Sequence, residues 1–183
     1  MEIKKYFNKK SQIWVETVIY TLIALVLIAA VLTFARPKLQ EMQDKATIEE
    51  SLSIFKDIDL KMQEVVGTGS GNKRVIGLII QKGKFEIDGL SDSIIFTLES
   101  HHQYGEIGAK IPEGRDIFVT TENNNEIYTV TIKKDYSEKL NLTILDKDEI
   151  KTLDPSTGNY EISILNNGRQ ELDSKTVIEF EVN

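Results

Sequence analysis

Apolar and polar positions along this chain shift from no period, to a helical one, to a period of two. From Ile13 to Ala35 every residue is apolar or uncharged except Glu16. A helix over that stretch would be about 34 Å long, enough to cross a hydrocarbon core of about 30 Å. From Leu39 onward the period becomes helical: Leu39, Met42, Ala46, Ile48, Leu52, Phe55, Ile58, Met62 and Val65 recur at spacings of mostly three and four. Glu41, Asp44, Lys45, Glu49, Glu50, Lys56, Asp57 and Glu64 fall on the opposite side. The pattern predicts an amphipathic helix whose second half lies on a sheet. Between the two stretches stands Arg36-Pro37, where the missing N–H of proline predicts a kink or a brief interruption.

Gly67-Thr68-Gly69-Ser70-Gly71 ends the helical pattern, and beyond it alternation takes over. Strands are predicted at Lys73–Gln81, Lys84–Asp88, Ser93–Glu99, Arg115–Thr121, Glu126–Lys133, Lys139–Leu145, Tyr160–Leu165 and Lys175–Val182. Tyr128, Val130 and Ile132 alternate with Thr129, Thr131 and Lys133; Ile178, Phe180 and Val182 alternate with Glu179 and Glu181. Turn signals separate the strands at Lys82-Gly83, Glu122-Asn123-Asn124-Asn125, Asp154-Pro155-Ser156-Thr157-Gly158 and Asn166-Asn167-Gly168. The expected class is α+β: a long N-terminal transmembrane and stalk helix, then an antiparallel β-sandwich-like head or curled sheet. The corresponding segments are 1–11 (leader), 12–36 (membrane helix), 37–66 (amphipathic helix), 67–71 (Gly-rich linker) and 72–183 (β-rich head).

Charge orients the segments. Lys4, Lys5, Lys9 and Lys10 outweigh Glu2 ahead of the apolar run, which places the first residues in the cytoplasm and everything after Pro37 outside. The formal charge of the 183 residues is −7, and with a basic start the outer part is more acidic still. Nucleic acids and anionic membrane surfaces reward Lys and Arg patches, so neither is an expected partner of the head. The chain has no cysteine, which excludes disulfides and thiolate metal sites.

Three readings account for the apolar run. A secretory signal cut near Thr33-Phe34-Ala35 conflicts with its length, since the apolar part of such signals takes about 7 to 15 residues. A plain signal anchor leaves Glu16 without a purpose, because a carboxylate in hydrocarbon costs a few kcal/mol unless it snorkels or pairs. The third reading uses the order of features: two lysines, Ser11, Gln12, a carboxylate four residues on, then an unbroken apolar helix. This order resembles the class III signal of type IV pilin-like proteins, and the string Gln12-Ile13-Trp14-Val15-Glu16-Thr17-Val18-Ile19-Tyr20-Thr21-Leu22-Ile23 is similar to that of archaeal pilins.

The resemblance implies cleavage by a membrane prepilin peptidase between Ser11 and Gln12, with the apolar helix kept on the mature protein. It implies a surface filament built by a pilus assembly ATPase and membrane platform, in which the helix packs against copies of itself or other pilins. Before assembly the helix would be held by membrane lipid. Cleavage would free an amine on Gln12, mostly cationic at neutral pH. In related pilins the carboxylate in the Glu16 position is thought to pair with that amine of a neighbouring subunit, which would favour one axial register. The alternative is that Glu16 reaches the headgroups and favours the positive end of its own helix.

The head offers little chemistry. His101 and His102 are adjacent and read as a solvated loop pair, since neighbours on a strand cannot face one metal. Asp146, Asp148, Glu149 and Asp154 read as a solvated acidic connection, lacking the glycine of an EF-hand loop. No Gly-x-Ser-x-Gly elbow occurs, and the glycines at 67–71 follow a helix with no Gly-Lys-Ser/Thr after them. No enzyme, cofactor or metal site is expected. Asn141-Leu142-Thr143 is a glycosylation sequon, with Asn141 and Thr143 expected to face solvent.

Overall fold

The computed structural model describes residues 9–125, 127–156, 158–169 and 174–183, with side chains from residue 13 on. The leader residues 1–8, Glu126 and Thr157 lie outside the described residues. One helix, α1 (Lys9–Thr68), precedes ten strands. They are β1 (Lys73–Leu78), β2 (Lys84–Asp88), β3 (Ser93–Ser100), β4 (Lys110–Pro112), β5 (Ile117–Asn124), β6 (Ile127–Asp135), β7 (Leu140–Ile144), β8 (Ile150–Leu153), β9 (Tyr160–Gly168) and β10 (Thr176–Val182). The chain divides into two compact units, Met1–Gln40 and Glu41–Asn183.

In the first unit α1 carries an apolar, unburied stretch whose most hydrophobic window has a mean hydropathy of 2.7 with 0% buried. The segment is long and apolar enough to cross a membrane. Pro37 lies inside α1, so the expected interruption does not occur. A single proline removes one N–H donor, and the residues on either side keep their helical bonds.

In the second unit the α1 residues Ile48, Leu52, Phe55, Ile58, Met62 and Val65 are buried in one core with residues of both sheets. The edge of Phe55 meets the Phe85 ring, with centroids 5.7 Å apart. The earlier part of the predicted stripe is different. Leu39 and Met42 are 56% and 61% exposed, and Ala46 is exposed as well. Asp44, expected on the polar side, is 3% exposed. It precedes Ile48 by one helical turn and therefore shares its face.

The strands form a six-stranded sheet, β4-β5-β6-β3-β2-β8, and a four-stranded sheet, β1-β9-β10-β7. All pairings are antiparallel except β10 with β7, which is parallel. The expectation of a wholly antiparallel head fails at this pair because β7 and β10 are separated by β8 and β9, and parallel neighbours require such a long crossover. Strands β4 and β8 were not predicted. The first is three residues ending at Pro112, and the second is four residues following the acidic stretch; neither is long enough to show alternation.

Asn166 corrects a turn assignment. It lies within β9, opposite Ile178, and its side-chain amide donates to the carbonyl of Val65 at 3.0 Å. One of the last carbonyls of α1 is thereby satisfied. The turn signal is displaced to Gly168 (φ +81°), next to a register shift between Val177 and Ile178. The glycine-rich stretch is likewise held in place: Gly71 N–H donates to Asn166 O at 2.7 Å, and Gly69 and Gly71 adopt φ of +91° and +86°, a region open chiefly to glycine.

Candidate functional site

The exposed part of α1 is chemically consistent along its length. Trp14, Tyr20 and Phe34 are 71%, 69% and 79% exposed, an apolar surface far larger than an ordinary soluble exterior carries. Its threonine hydroxyls are satisfied within the helix: Thr17 donates to Ile13 O at 2.9 Å, Thr21 to Thr17 O at 2.8 Å, and Thr33 to Ala29 O at 2.9 Å. A segment with its threonine hydroxyls closed on its own backbone suits hydrocarbon or a bundle of like helices. Glu16 stands on this surface, exposed. Ser11 and Gln12 lie within α1 as described.

In the head, His101 and His102 are not simply solvated. Asp44 Oδ2 accepts from the His101 backbone N–H at 2.7 Å and lies 3.0 Å from His101 Nδ1. Lys82 donates to Asp44 Oδ1 at 2.5 Å, and His102 Nδ1 is 3.7 Å from Glu41. Burial pushes the Asp44 carboxyl up, but the His101 N–H, Lys82 and the His101 ring outweigh it and hold its pKa below the ordinary value. The cluster ties the end of β3 to α1.

A second ion pair lies at the other end of the head helix. Lys134 at the end of β6, with its side chain 4% exposed, places Nζ 2.9 Å from Asp59. The ammonium also donates to Arg115 O at 2.6 Å and lies 5.3 Å from the Tyr136 ring centroid. Burial raises the pKa of the Tyr136 hydroxyl, and the charge and hydrogen bond of Asp59 raise it further. Above this network opens a cavity of about 460 Å³ between the last turns of α1, the start of β5, the end of β6 and the entry to β7. The sequence carried a signal for Lys134. The inward alternation Tyr128, Val130, Ile132 reaches it when continued by one step, whereas the predicted strand stops at Lys133.

The sequon is placed otherwise than expected. Asn141 is half-buried, and Thr143 is 6% exposed with no hydrogen-bond partner for its hydroxyl. Its strand is covered on one side by the β2–β3 turn: Leu142 N–H donates to Asp92 Oδ1 at 2.8 Å. The acidic stretch forms a tight turn, with Leu145 and Asp146 at φ +49° and +63° and Lys147 bridged to Ile144. Among the described residues no group of three or more His, Asp or Glu side chains is placed to hold a metal. Comparison with known proteins found no matching family model, no similar curated protein and no similar solved structure.

Proposed function

We propose that this protein is a structural, non-enzymatic subunit of a type IV pilus-like surface filament. In this reading a prepilin peptidase removes residues 1–11 and lipid holds α1 by its apolar segment. The assembly ATPase and membrane platform then transfer that segment from lipid into a bundle of like helices. Helix packing replaces lipid contact in such a bundle, and close van der Waals fit supplies the adhesion. The β-rich head, pilin-like in its position after a long helix, remains outside as the adhesive or contact surface.

The observation that carries the reading is the unburied apolar surface of α1 from Ile13 to Phe34, with its threonine hydroxyls closed on the helix backbone. Such a surface requires a cover, and lipid followed by other copies provides one at each stage. The test is the intact mass of the full chain coexpressed with a prepilin peptidase. Loss of residues 1–11 supports the proposal, and an intact start overturns it in favour of an uncleaved single-pass protein.

A further inference from the structure

We propose that the cavity above Lys134 is a binding site for a neutral, polyhydroxylated ligand: a sugar unit, free or at the end of a glycan. The proposal stands on the head alone and does not depend on filament assembly. At about 460 Å³ the cavity falls within the span of small-molecule sites, roughly 300–1,000 Å³. Its apolar lining is Val66, 37% exposed, and the half-buried Phe118, over the buried Met62, Tyr136 and Leu140. An apolar, partly aromatic floor matches the C–H face of a pyranose ring.

The polar groups narrow the ligand class. Lys134, the one cation buried at the floor among the described lining residues, is neutralised by Asp59 at 2.9 Å. Asp59 and the Arg115 carbonyl engage two of the three ammonium protons. Around the mouth, acceptors and donors of both charges stand together: Asp116 and Glu138 beside Arg115 and Lys139, with the Gln63 amide able to do either. A phosphate or carboxylate ligand would meet Asp116 and Glu138 unpaired; an ammonium ligand would meet Arg115 and Lys139. Hydroxyl groups donate and accept at once, so a row of them satisfies such a mixed rim without leaving a charge uncompensated. Several of these side chains present two polar atoms in one plane, which suits adjacent hydroxyls.

The test uses the full chain in nanodiscs made from lipids without sugar headgroups. Saturation-transfer NMR is recorded with glucose, galactose, mannose and N-acetylglucosamine. Binding is measured in parallel to the same sugars displayed as terminal residues on an immobilised surface. Saturation of at least one sugar, in either format, is the expected result; binding only in the displayed format identifies a glycan end as the ligand. Asp116→Asn and Glu138→Gln should each weaken binding about tenfold. Both positions are exposed, and asparagine tolerates the positive φ of +60° at position 116, so thermal midpoints should be unchanged. Lys56→Gln, on the exposed helix face outside the cavity, should bind as the parent does. Absence of binding by every sugar in both formats, binding indifferent to both rim variants, or stronger binding of inorganic phosphate or a diamine than of any sugar would overturn the proposal. None of these outcomes affects the cleavage mass that tests the filament reading.

Discussion

Asp44 and His101, 57 residues apart in sequence, share a backbone hydrogen bond of 2.7 Å and a side-chain approach of 3.0 Å. Because Asp44 is 3% exposed, the carboxylate tethers the chain after β3 to the helix that the head is built on. Replacing it leaves the His101 N–H without its acceptor. Asp44→Ala should destabilise the head by about 2 kcal/mol, read as a lower urea midpoint with an unchanged slope. Glu49→Ala on the exposed face of the same helix should be close to neutral.

The same carboxylate sets an acid limit. Its folded pKa is depressed by the His101 N–H, Lys82 and the His101 ring, which outweigh the burial that raises it. A depressed carboxylate contributes stability that is fully present above its unfolded pKa of about 3.9. That contribution is lost as pH falls through the lower folded value. Stability against urea should therefore decline below about pH 4, and Asp44→Asn should show a shallower decline over the same range.

How far such relations can be read from sequence depends on what decides them. The regular parts were legible because local periodicity decides them: the helical stripe from Ile48 to Val65 is buried, and Lys84–Asp88 forms β2 as the alternation indicates. Asp44 and Asn166 were not legible, since each is buried by a partner brought from elsewhere: His101 and the Val65 carbonyl respectively. A charged or amide side chain reads as solvent-facing until that partner is known. The parallel β7–β10 pair is hidden for a similar reason, because strand order is a property of the crossover. Of the cavity, Met62 was legible through the helical stripe and Lys134 through the alternation along β6.

Lys134 and Asp59 permit a double-mutant test. Removing one member of a buried ion pair leaves an uncompensated charge, so Lys134→Met or Asp59→Leu alone should cost about 3–5 kcal/mol. The double variant should recover most of that loss. Recovery should fall short by about 1–2 kcal/mol, because Arg115 O loses its donor and the Tyr136 hydroxyl loses its acceptor. Denaturation midpoints of the four proteins give the coupling directly.

Thr143 points the other way. Its hydroxyl is buried without a partner, so Thr143→Val exchanges an unsatisfied oxygen for a methyl group of similar size and should stabilise the head by about 1 kcal/mol. Burial of Thr143 also closes the sequon in the folded state. Folded protein offered to an N-glycosylating membrane extract should show no mass gain at Asn141, whereas chain denatured beforehand should be modified.

Glu16 provides the test of assembly as distinct from processing. It is the one formal charge between Ile13 and Ala35, and in the proposed filament it would follow the cut by one helical turn and pair with an amine freed on Gln12 of an adjacent copy. In the proposed bundle such a pair would fix the axial register, because any shifted arrangement would leave both charges in an apolar surrounding. Glu16→Gln keeps the size and hydrogen-bonding ability of the side chain and removes only its charge. The variant should still lose residues 1–11, as judged by intact mass, yet yield few or no filaments by electron microscopy. Normal filaments from processed Glu16→Gln protein would remove the register role and leave the apolar surface of α1 as the sole basis for assembly.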